Sequence, residues 1–167
     1  MNTSGGLGII HRYNTIKEQS SLVYHARTVM CNIGGSIGVS GDYLERAKAL
    51  IASGANVICV DIAHGHHVMM RKALRALRNI IGTSAHIMAG NVATLEAFND
   101  LSDWGADSIR VGVGGGSICS TRIQTGHGVP TLQSIINCSY SDRDALLIAD
   151  GGIKNSGDIV KALAAGA

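Results

Sequence analysis

The sequence predicts an α/β protein in which strands and helices alternate along one domain. Three observations support this prediction. Short apolar runs recur at intervals of about 25 residues, and segments of helical length and amphipathic pattern separate them. Gly-Ala pairs follow three of those segments, where glycine commonly ends a helix. The composition agrees, since 22 glycines, one proline and 4% aromatic residues suit a repetitive α/β protein better than an all-β sandwich.

Six strands are predicted from the apolar runs. Several of these runs are apolar on both faces, which is typical of parallel strands that helices cover on each side. The predicted strands span residues 6–11, 30–38, 56–63, 86–91, 108–113 and 146–152.

Six helices are predicted between and after the strands, near residues 15–28, 42–53, 66–81, 94–104, 130–138 and 156–165. Asn14, Thr94 and Ser156 are the expected N-caps, because their short polar side chains can accept a hydrogen bond from the first helical turn. Each β-loop-α repeat therefore carries its own start signal or stop signal.

Alternating units of this kind form either a doubly wound sheet or a (β/α)8 barrel, and both gather glycine and polar residues at the carboxyl ends of the strands. About six β/α units are present, whereas a complete barrel has eight and typically needs ~250 residues. If the fold is a barrel, we expect the 167-residue chain to contain only part of it.

Charge and cysteine usage exclude several classes of protein. The formal charge of +2 comes without a basic run, so we expect no nucleic-acid partner. No apolar run is long enough to cross a bilayer, so we expect no membrane association. The four cysteines lack metal-binding or paired spacing, which favours a reduced, cytoplasmic location. Cys31 and Cys59 lie in apolar runs and are expected to be small buried residues.

The segment from Arg110 to Ile135 carries the strongest chemical signal. It reads RVGVGGGSICSTRIQTGHGVPTLQSI and places Cys119 in a glycine-rich loop after an apolar strand. Successive backbone N–H groups in such a loop can converge on an anion, and Ser117 can add a hydroxyl donor. The thiolate of Cys119 could then attack an electrophilic carbon of the bound molecule. The alternative is a structural loop cysteine.

Three motifs together resemble the IMP dehydrogenase/GMP reductase family. They are DIAHGHH, GGGSICSTR and IADGGIKNSGDIVKAL, and the similarity begins at GGLGIIHRYNTIKEQ near the start of the chain. The resemblance implies a TIM (β/α)8 barrel, here a single partial catalytic domain over residues 1–167. It also implies that the regulatory CBS insertion is absent, because residues 26–32 lead directly into the next strand.

The resemblance implies roles for residues of the cysteine loop. Cys119 would add covalently to C2 of the purine, and Thr121 would help to handle the proton of the leaving water or amine. Thr121 alone would be interpreted as a turn residue. The carbonyl groups of Gly114, Gly116 and Cys119 match those that hold potassium in the dehydrogenases, and carbonyl oxygens are suitable ligands for such a cation.

The resemblance also implies a binding role for residues at other strand ends. Asp150 would bind the ribose hydroxyls of the nucleotide. The alternative is that Asp150 only begins a turn, because an aspartate in that role would show the same sequence pattern. Arg110 could instead pair with Asp61 or Asp107 as part of the scaffold. The implied substrate residues are Ser117, Asp150, Gly151 and Gly152, and the implied cofactor residues are Asp61, Asn91, Arg110 and Gly112.

The histidines are not predicted to bind metal. His64, His66 and His67 lie close together, but the sequence around them lacks a carboxylate or further histidine at ligand spacing. The resemblance places this loop beside the dinucleotide instead. His127, in TGHGVP, is expected to face solvent.

The resemblance leaves three functions open. The first is oxidation of IMP to XMP with NAD in guanine nucleotide biosynthesis, through a covalent thioimidate on Cys119. The second is reductive deamination of GMP to IMP with NADPH, so that NADP would replace NAD. DIAHGHH and IADGGIK look closer to dehydrogenases, which favours the first. The third is a non-catalytic, nucleotide-binding barrel fragment. The resemblance also implies that the full-length protein is a homotetramer.

Overall fold

The predicted alternation of strands and helices is present in a computed structural model, which describes residues 5–167. The described residues form six β/α units in the strand order β1-β2-β3-β4-β5-β6. The strands are β1 (Gly8–Ile10), β2 (Ile33–Ile37), β3 (Val57–Asp61), β4 (His86–Val92), β5 (Ser108–Val111) and β6 (Leu146–Ala149). The helices are α1 (Ile16–Arg27), α2 (Tyr43–Ala52), α3 (Val68–Ile81), α4 (Leu95–Asp103), α5 (Thr121–Thr125), α6 (Thr131–Cys138) and α7 (Ser156–Ala164).

The chain divides into two compact units. The first comprises the described residues up to Asp61 together with Val68–Met88, and the second comprises Ile62–His67 together with Ala89–Ala167. Strand β4 contributes its first residues to one unit and its last residues to the other.

The first unit is built on parallel strands β1, β2 and β3. Strand β2 reads IGGSI, and a side chain at Gly34 would come within 2.5 Å of Ile9. A buried polar contact joins α1 to the strands, since the Gln19 amide donates to the carbonyl groups of Ile10 (3.0 Å) and Ser36 (2.9 Å). Arg46 on α2 donates in turn to the side-chain oxygen of Gln19 at 2.8 Å. These bonds satisfy polar atoms that would otherwise be buried without partners.

The second unit places its loops at the carboxyl ends of β5 and β6. These strands are parallel, with Arg110 paired to Ile148 and Val111 paired to Ala149. Phe98 and Ile135, from α4 and α6, are fully buried and hold the helices to the strands. Since parallel strands end at the same edge, the loops that follow β5 and β6 meet there.

Two of the three predicted N-caps are shifted by one residue. Helix α1 is capped by Thr15 rather than Asn14, because Thr15 has extended backbone angles and its hydroxyl accepts the Glu18 N–H at 3.2 Å. The Glu18 carboxylate accepts the Thr15 N–H in return, which completes a capping box. Helix α7 is capped by Asn155 rather than Ser156, through the Asp158 N–H. The prediction of Thr94 for α4 is confirmed.

Three further features differ from the sequence prediction. Helix α5 was not predicted, because five residues are too few to show amphipathic periodicity. Helix α3 begins at Val68, two residues later than expected. Cys31 is exposed rather than buried, since it precedes β2 and its carbonyl group accepts from Arg27. Cys59 is buried in β3 as predicted.

Among residues 5–167, no helix combines the length and the apolar character that spanning a membrane requires.

Candidate active site

The Cys119 thiol lies in the loop that connects β5 to α5, beside the hydroxyl group of Thr121. The distance between Cys119 Sγ and Thr121 Oγ1 is 3.3 Å. Hydrogen bonds from the side chain and backbone of Thr121 lower the pKa of the Cys119 thiol, with smaller contributions from the Gly114 backbone and the positive charge of Arg122. All of these contacts favour the thiolate, which is the nucleophilic form.

Close packing of the two loops explains the glycines in both. Gly112 has φ 151°, and a β-carbon there would lie 1.9 Å from the Asp150 carbonyl oxygen. Gly151 has φ 83°, and its β-carbon would lie 3.0 Å from the backbone nitrogen of Gly116. Any side chain at Gly112 would therefore separate the loop after β5 from the loop after β6.

The Asp150 carboxylate is held by two side chains from neighbouring strands. Arg110 on β5 donates to Asp150 Oδ2 at 2.9 Å, and Asn91 on β4 donates to the same oxygen at 2.5 Å. Asn91 also donates to the Gly112 carbonyl oxygen at 2.8 Å, and the peptide bond before Asn91 is cis. The side chains of Arg110 and Asp150 are 24% and 36% exposed, so the pair is accessible from solvent.

A cavity of 530 Å³ opens beside the thiol. Its lining contains two cationic side chains, one hydroxyl group and no acidic residue: Gly115, Gly116, Ser117, Cys119, Arg122, Ile123 and Lys154. The volume is within the range of small-molecule sites. The cavity is therefore suited to an anionic ligand that presents an electrophilic carbon to Cys119.

The structure groups most of the predicted site residues into two sets. Ser117 and Cys119 line the cavity, with Thr121 against the thiol. Asn91, Arg110 and Gly112 instead lie against Asp150 or its carbonyl group, so three of the four predicted cofactor residues meet a predicted substrate residue. The contact between Arg110 and Asp150 was not predicted from the sequence.

Asp61 was predicted to contact the cofactor and is the last residue of β3, in the first unit. Its backbone carbonyl group lies 3.5 Å from the Arg12 guanidinium. The residue as a whole is half-buried at the end of its strand.

Two cationic residues of the cavity were missed by the sequence analysis. Arg122 directly follows Thr121, and Lys154 lies four residues after Asp150. The sequence feature that could have indicated them is their position near predicted site residues. A single lysine or arginine in a loop is, however, usually a solvated surface residue.

The histidine cluster forms a contact with a helix. His66 Nε2 lies 2.9 Å from Asp100 Oδ2 on α4, and the His66 ring stacks on Trp104 with the ring centres 6.0 Å apart. Within the described part of the chain, no group of three or more His, Cys, Asp or Glu side chains could hold a metal ion. His127 is exposed, as predicted.

Comparisons with known proteins agree on one family. The family model described as IMP dehydrogenase / GMP reductase domain matches residues 1–167. A protein named GMP reductase from Leishmania major is 49% identical over 138 residues, and inosine-5'-monophosphate dehydrogenase from Nitrosopumilus maritimus is 46% identical over 139 residues. Each alignment covers 81% of this chain, but only 28% and 29% of the respective relative.

A solved structure extends the agreement to the fold. The crystal structure of inosine 5' monophosphate dehydrogenase from Legionella pneumophila matches with a TM-score of 0.90 and 48% sequence identity. The match covers 100% of this chain and 50% of that chain. The chain thus spans half of the solved protein and less than a third of the curated relatives.

Proposed function

Because the chain belongs to the IMP dehydrogenase/GMP reductase family of NAD(P)-dependent oxidoreductases, we propose that it acts as an IMP dehydrogenase. The family and the matching crystal structure from Legionella pneumophila assign the fold of this chain as part of a TIM barrel. The proposed reaction is the oxidation of IMP to XMP with NAD, in guanine nucleotide biosynthesis. The observation that carries this proposal is the Cys119 thiol, which has a lowered pKa and faces a cavity without acidic residues.

The proposed chemistry begins at the Cys119 sulfur. The thiolate adds to C2 of the purine and forms an S–C bond, and the C2–H bond then breaks with its electron pair. NAD, when bound, supplies the acceptor for that hydride. The enzyme-bound thioimidate is hydrolysed by water, which releases XMP and returns the thiol. Thr121 is proposed to hold a proton during the step that consumes water, and the 3.3 Å distance from its hydroxyl group to the sulfur supports this role.

Ser117, Gly151 and Gly152 are proposed to bind the phosphate of the substrate, and Asp150 its ribose hydroxyls. The glycines support this role because they expose backbone N–H groups where the two loops meet. Arg110 and Asn91 both donate to Asp150 Oδ2, and neither of these bonds uses the other carboxylate oxygen, Oδ1. That oxygen is available to accept a hydrogen bond from a sugar hydroxyl group.

The cofactor residues proposed are Asp61, Asn91, Arg110 and Gly112. Asn91 and Arg110 would serve the nicotinamide side of the site while they orient Asp150, so both parts of the reaction would share these two side chains. A potassium ion is proposed at the carbonyl groups of Gly114, Gly116 and Cys119. The donor type fits, since backbone carbonyl oxygens can replace the hydration shell of potassium.

GMP reductase is the second candidate function, with GMP and NADPH as substrates. The observation that supports the reductase is the 49% identity to the relative named GMP reductase from Leishmania major. The cysteine chemistry would be shared, so Cys119 and Thr121 do not discriminate between the reactions. A cytoplasmic location and a homotetrameric full-length protein are proposed for either enzyme.

Covalent labelling tests the nucleophile directly. The 6-chloropurine ribonucleotide should label the chain at Cys119, as the thiolate displaces chloride from the purine ring. Mass spectrometry of the Cys119 peptide would detect the adduct. Cys31→Ala is the matched control, because Cys31 is the exposed cysteine outside the site. Labelling that persists in Cys119→Ala would place the nucleophile elsewhere.

Turnover distinguishes the two candidate reactions. Formation of NADH from IMP and NAD would support the dehydrogenase, whereas consumption of NADPH with GMP would support the reductase. Labelling without either turnover would favour the non-catalytic, nucleotide-binding alternative.

A further inference from the structure

Lys154 reaches the Cys119 cavity from the loop after β6. Lys154 lines the cavity together with Arg122, so two cationic residues border the space beside the thiol. The lining of the cavity contains no aspartate or glutamate that could neutralise them. The backbone that carries Lys154 crosses close to the cysteine loop, since a β-carbon on Gly152 would lie 3.1 Å from the Gly115 carbonyl oxygen.

The two acidic residues nearest to Lys154 in sequence, Asp150 and Asp158, are already bonded to other groups, and Asp150 Oδ2 accepts from Arg110 and Asn91. Asp158 Oδ2 accepts the backbone N–H of Lys154 at 3.1 Å, and Asp158 Oδ1 lies 3.6 Å from the Lys161 ammonium. Asp158 therefore fixes the main chain of Lys154 and pairs with a different lysine. Over residues 5–167, no carboxylate lies within salt-bridge distance of the Lys154 ammonium.

The two cations differ in how they are held. The aliphatic part of Arg122 packs against the cysteine loop, because β-carbons on Gly114 and Gly128 would lie 2.7 and 2.6 Å from Arg122 Cγ. Lys154 is exposed, and its ammonium has no such anchor. Arg122 is therefore a fixed charge near the sulfur, whereas Lys154 can move toward an anionic group of the ligand.

We propose that Lys154 is a specificity-determining residue, which selects a phosphate monoester over the uncharged nucleoside by contacting the phosphate of the molecule that Cys119 attacks. This inference deepens the proposed function and rests on it for the identity of the ligand. Arg122 and Lys154 together make the cavity selective for anions. An ammonium group is a suitable phosphate ligand because it acts as a point charge with three rotatable donors.

Two alkylating reagents of nearly equal size test the anion selectivity. Iodoacetate is an anion and iodoacetamide is neutral, and both react when the thiolate displaces iodide. The measured quantity is the alkylation rate of Cys119 with iodoacetate divided by its rate with iodoacetamide. Mass spectrometry of the Cys119 peptide follows both reactions. Lys154→Gln should lower this ratio about two- to threefold at low salt, as expected for one unit charge acting through a water-like dielectric. The ratio, rather than either rate alone, is the readout, because any change in the thiolate fraction of Cys119 affects both reagents equally.

Matched variants separate charge from structure. Lys154→Arg should retain the ratio of the unmodified chain, because it keeps the charge. Lys72→Gln removes an exposed lysine of α3 and should leave the ratio unchanged. The effect of Lys154→Gln should diminish as salt is added, since ions screen exposed charges. A ratio that does not change in Lys154→Gln would overturn the anion-selectivity proposal.

Protection of Cys119 from iodoacetamide tests the phosphate contact. The IMP concentration that gives half protection should rise about fivefold in Lys154→Gln, whereas the inosine concentration should not change. Equal shifts for IMP and inosine would contradict a phosphate contact and would assign Lys154 a structural role. Failure of the 6-chloropurine ribonucleotide to label Cys119, with the reagent ratios still as expected, would overturn the proposed function alone.

Discussion

Cys119 and Cys138 belong to the same unit, and each is followed by a serine, yet their thiols are in opposite chemical environments. Cys119 is partly accessible and contacts Thr121, and these contacts lower its pKa. Cys138 ends α6 with 1% of its surface exposed, and burial raises its pKa from 9.0 to about 11. Reactivity therefore depends on the donors and solvent around the sulfur.

The local sequence explains only part of this difference. Donors reach the Cys119 sulfur from residues two to five positions away, on a loop that glycines allow to fold back. Cys138 is buried by the packing of α6 against β5 and α4, which brings together residues distant in the sequence. Cys119 lies on a loop, where donors and solvent reach its sulfur, whereas Cys138 lies on a packed helix that excludes both.

Removing the reactive thiol should have the largest effect. Cys119→Ala should reduce labelling by the 6-chloropurine ribonucleotide by at least about a thousandfold, because the nucleophile itself is lost. Cys138→Ala is the matched control and should label normally, since its thiol is protonated and buried. Loss of labelling in both variants would contradict the comparison, and would indicate that folding rather than the nucleophile was affected.

Alkaline pH should destabilise the chain through Cys138. The folded thiol holds its proton up to pH about 11, whereas the unfolded thiol releases it near pH 9.0. The folded state then binds more protons, so the free energy of unfolding should fall by about 1.4 kcal/mol per pH unit within this window. The stabilising contribution is fully present below pH 9.0.

Denaturant unfolding of the native chain and Cys138→Ala over that pH range measures this effect. The difference between the two chains cancels the titration of other groups. Parallel pH dependences for both chains would show that Cys138 makes no contribution.

Removing the Thr121 hydroxyl group should raise the pKa of the Cys119 thiol, which is the direction in which burial shifts the pKa of Cys138. Thr121→Val keeps the shape of the side chain and deletes the largest cause of the lowered pKa. The pKa of Cys119 should rise, and alkylation by iodoacetamide at neutral pH should slow, because a smaller fraction of the thiol is ionised. The pH dependence of the alkylation rate measures the change.

Thr121→Ser is the control for that variant, because it restores the hydroxyl group and should restore the low pKa. An alkylation profile identical in Thr121→Val and the unmodified chain would assign the lowered pKa to the backbone contacts and Arg122 alone.

The smallest effect is expected from the packing of Cys138. Cys138→Ala removes one buried sulfur atom and should cost about 1 kcal/mol of unfolding free energy, as expected for loss of a small apolar group. Denaturant unfolding at neutral pH measures this cost. Cys31→Ala, at the exposed cysteine, should change stability by less than about 0.5 kcal/mol. Equal costs for the two variants would contradict the assigned burial.

Much of the fold could be predicted because its signals are local. All six predicted strands and six predicted helices are present, and Thr94 caps α4 as expected. The positive φ angles of Gly54, Gly105 and Gly166 agree with glycines placed after helices. The shifted caps at Thr15 and Asn155 show the limit of this approach. Two adjacent polar residues can both cap a helix, and only the backbone angles decide which one does.

The sequence by itself determined the β/α repeat, the family and the candidate nucleophile, because periodicity and short motifs are encoded within a few neighbouring residues. Only the tertiary structure decided that Arg110 and Asn91 bind Asp150, that Lys154 lines the cavity of Cys119, and that Cys138 is buried. These contacts join residues far apart along the chain. Their distances and burial depend on how parallel strands align their carboxyl ends, which no local pattern specifies.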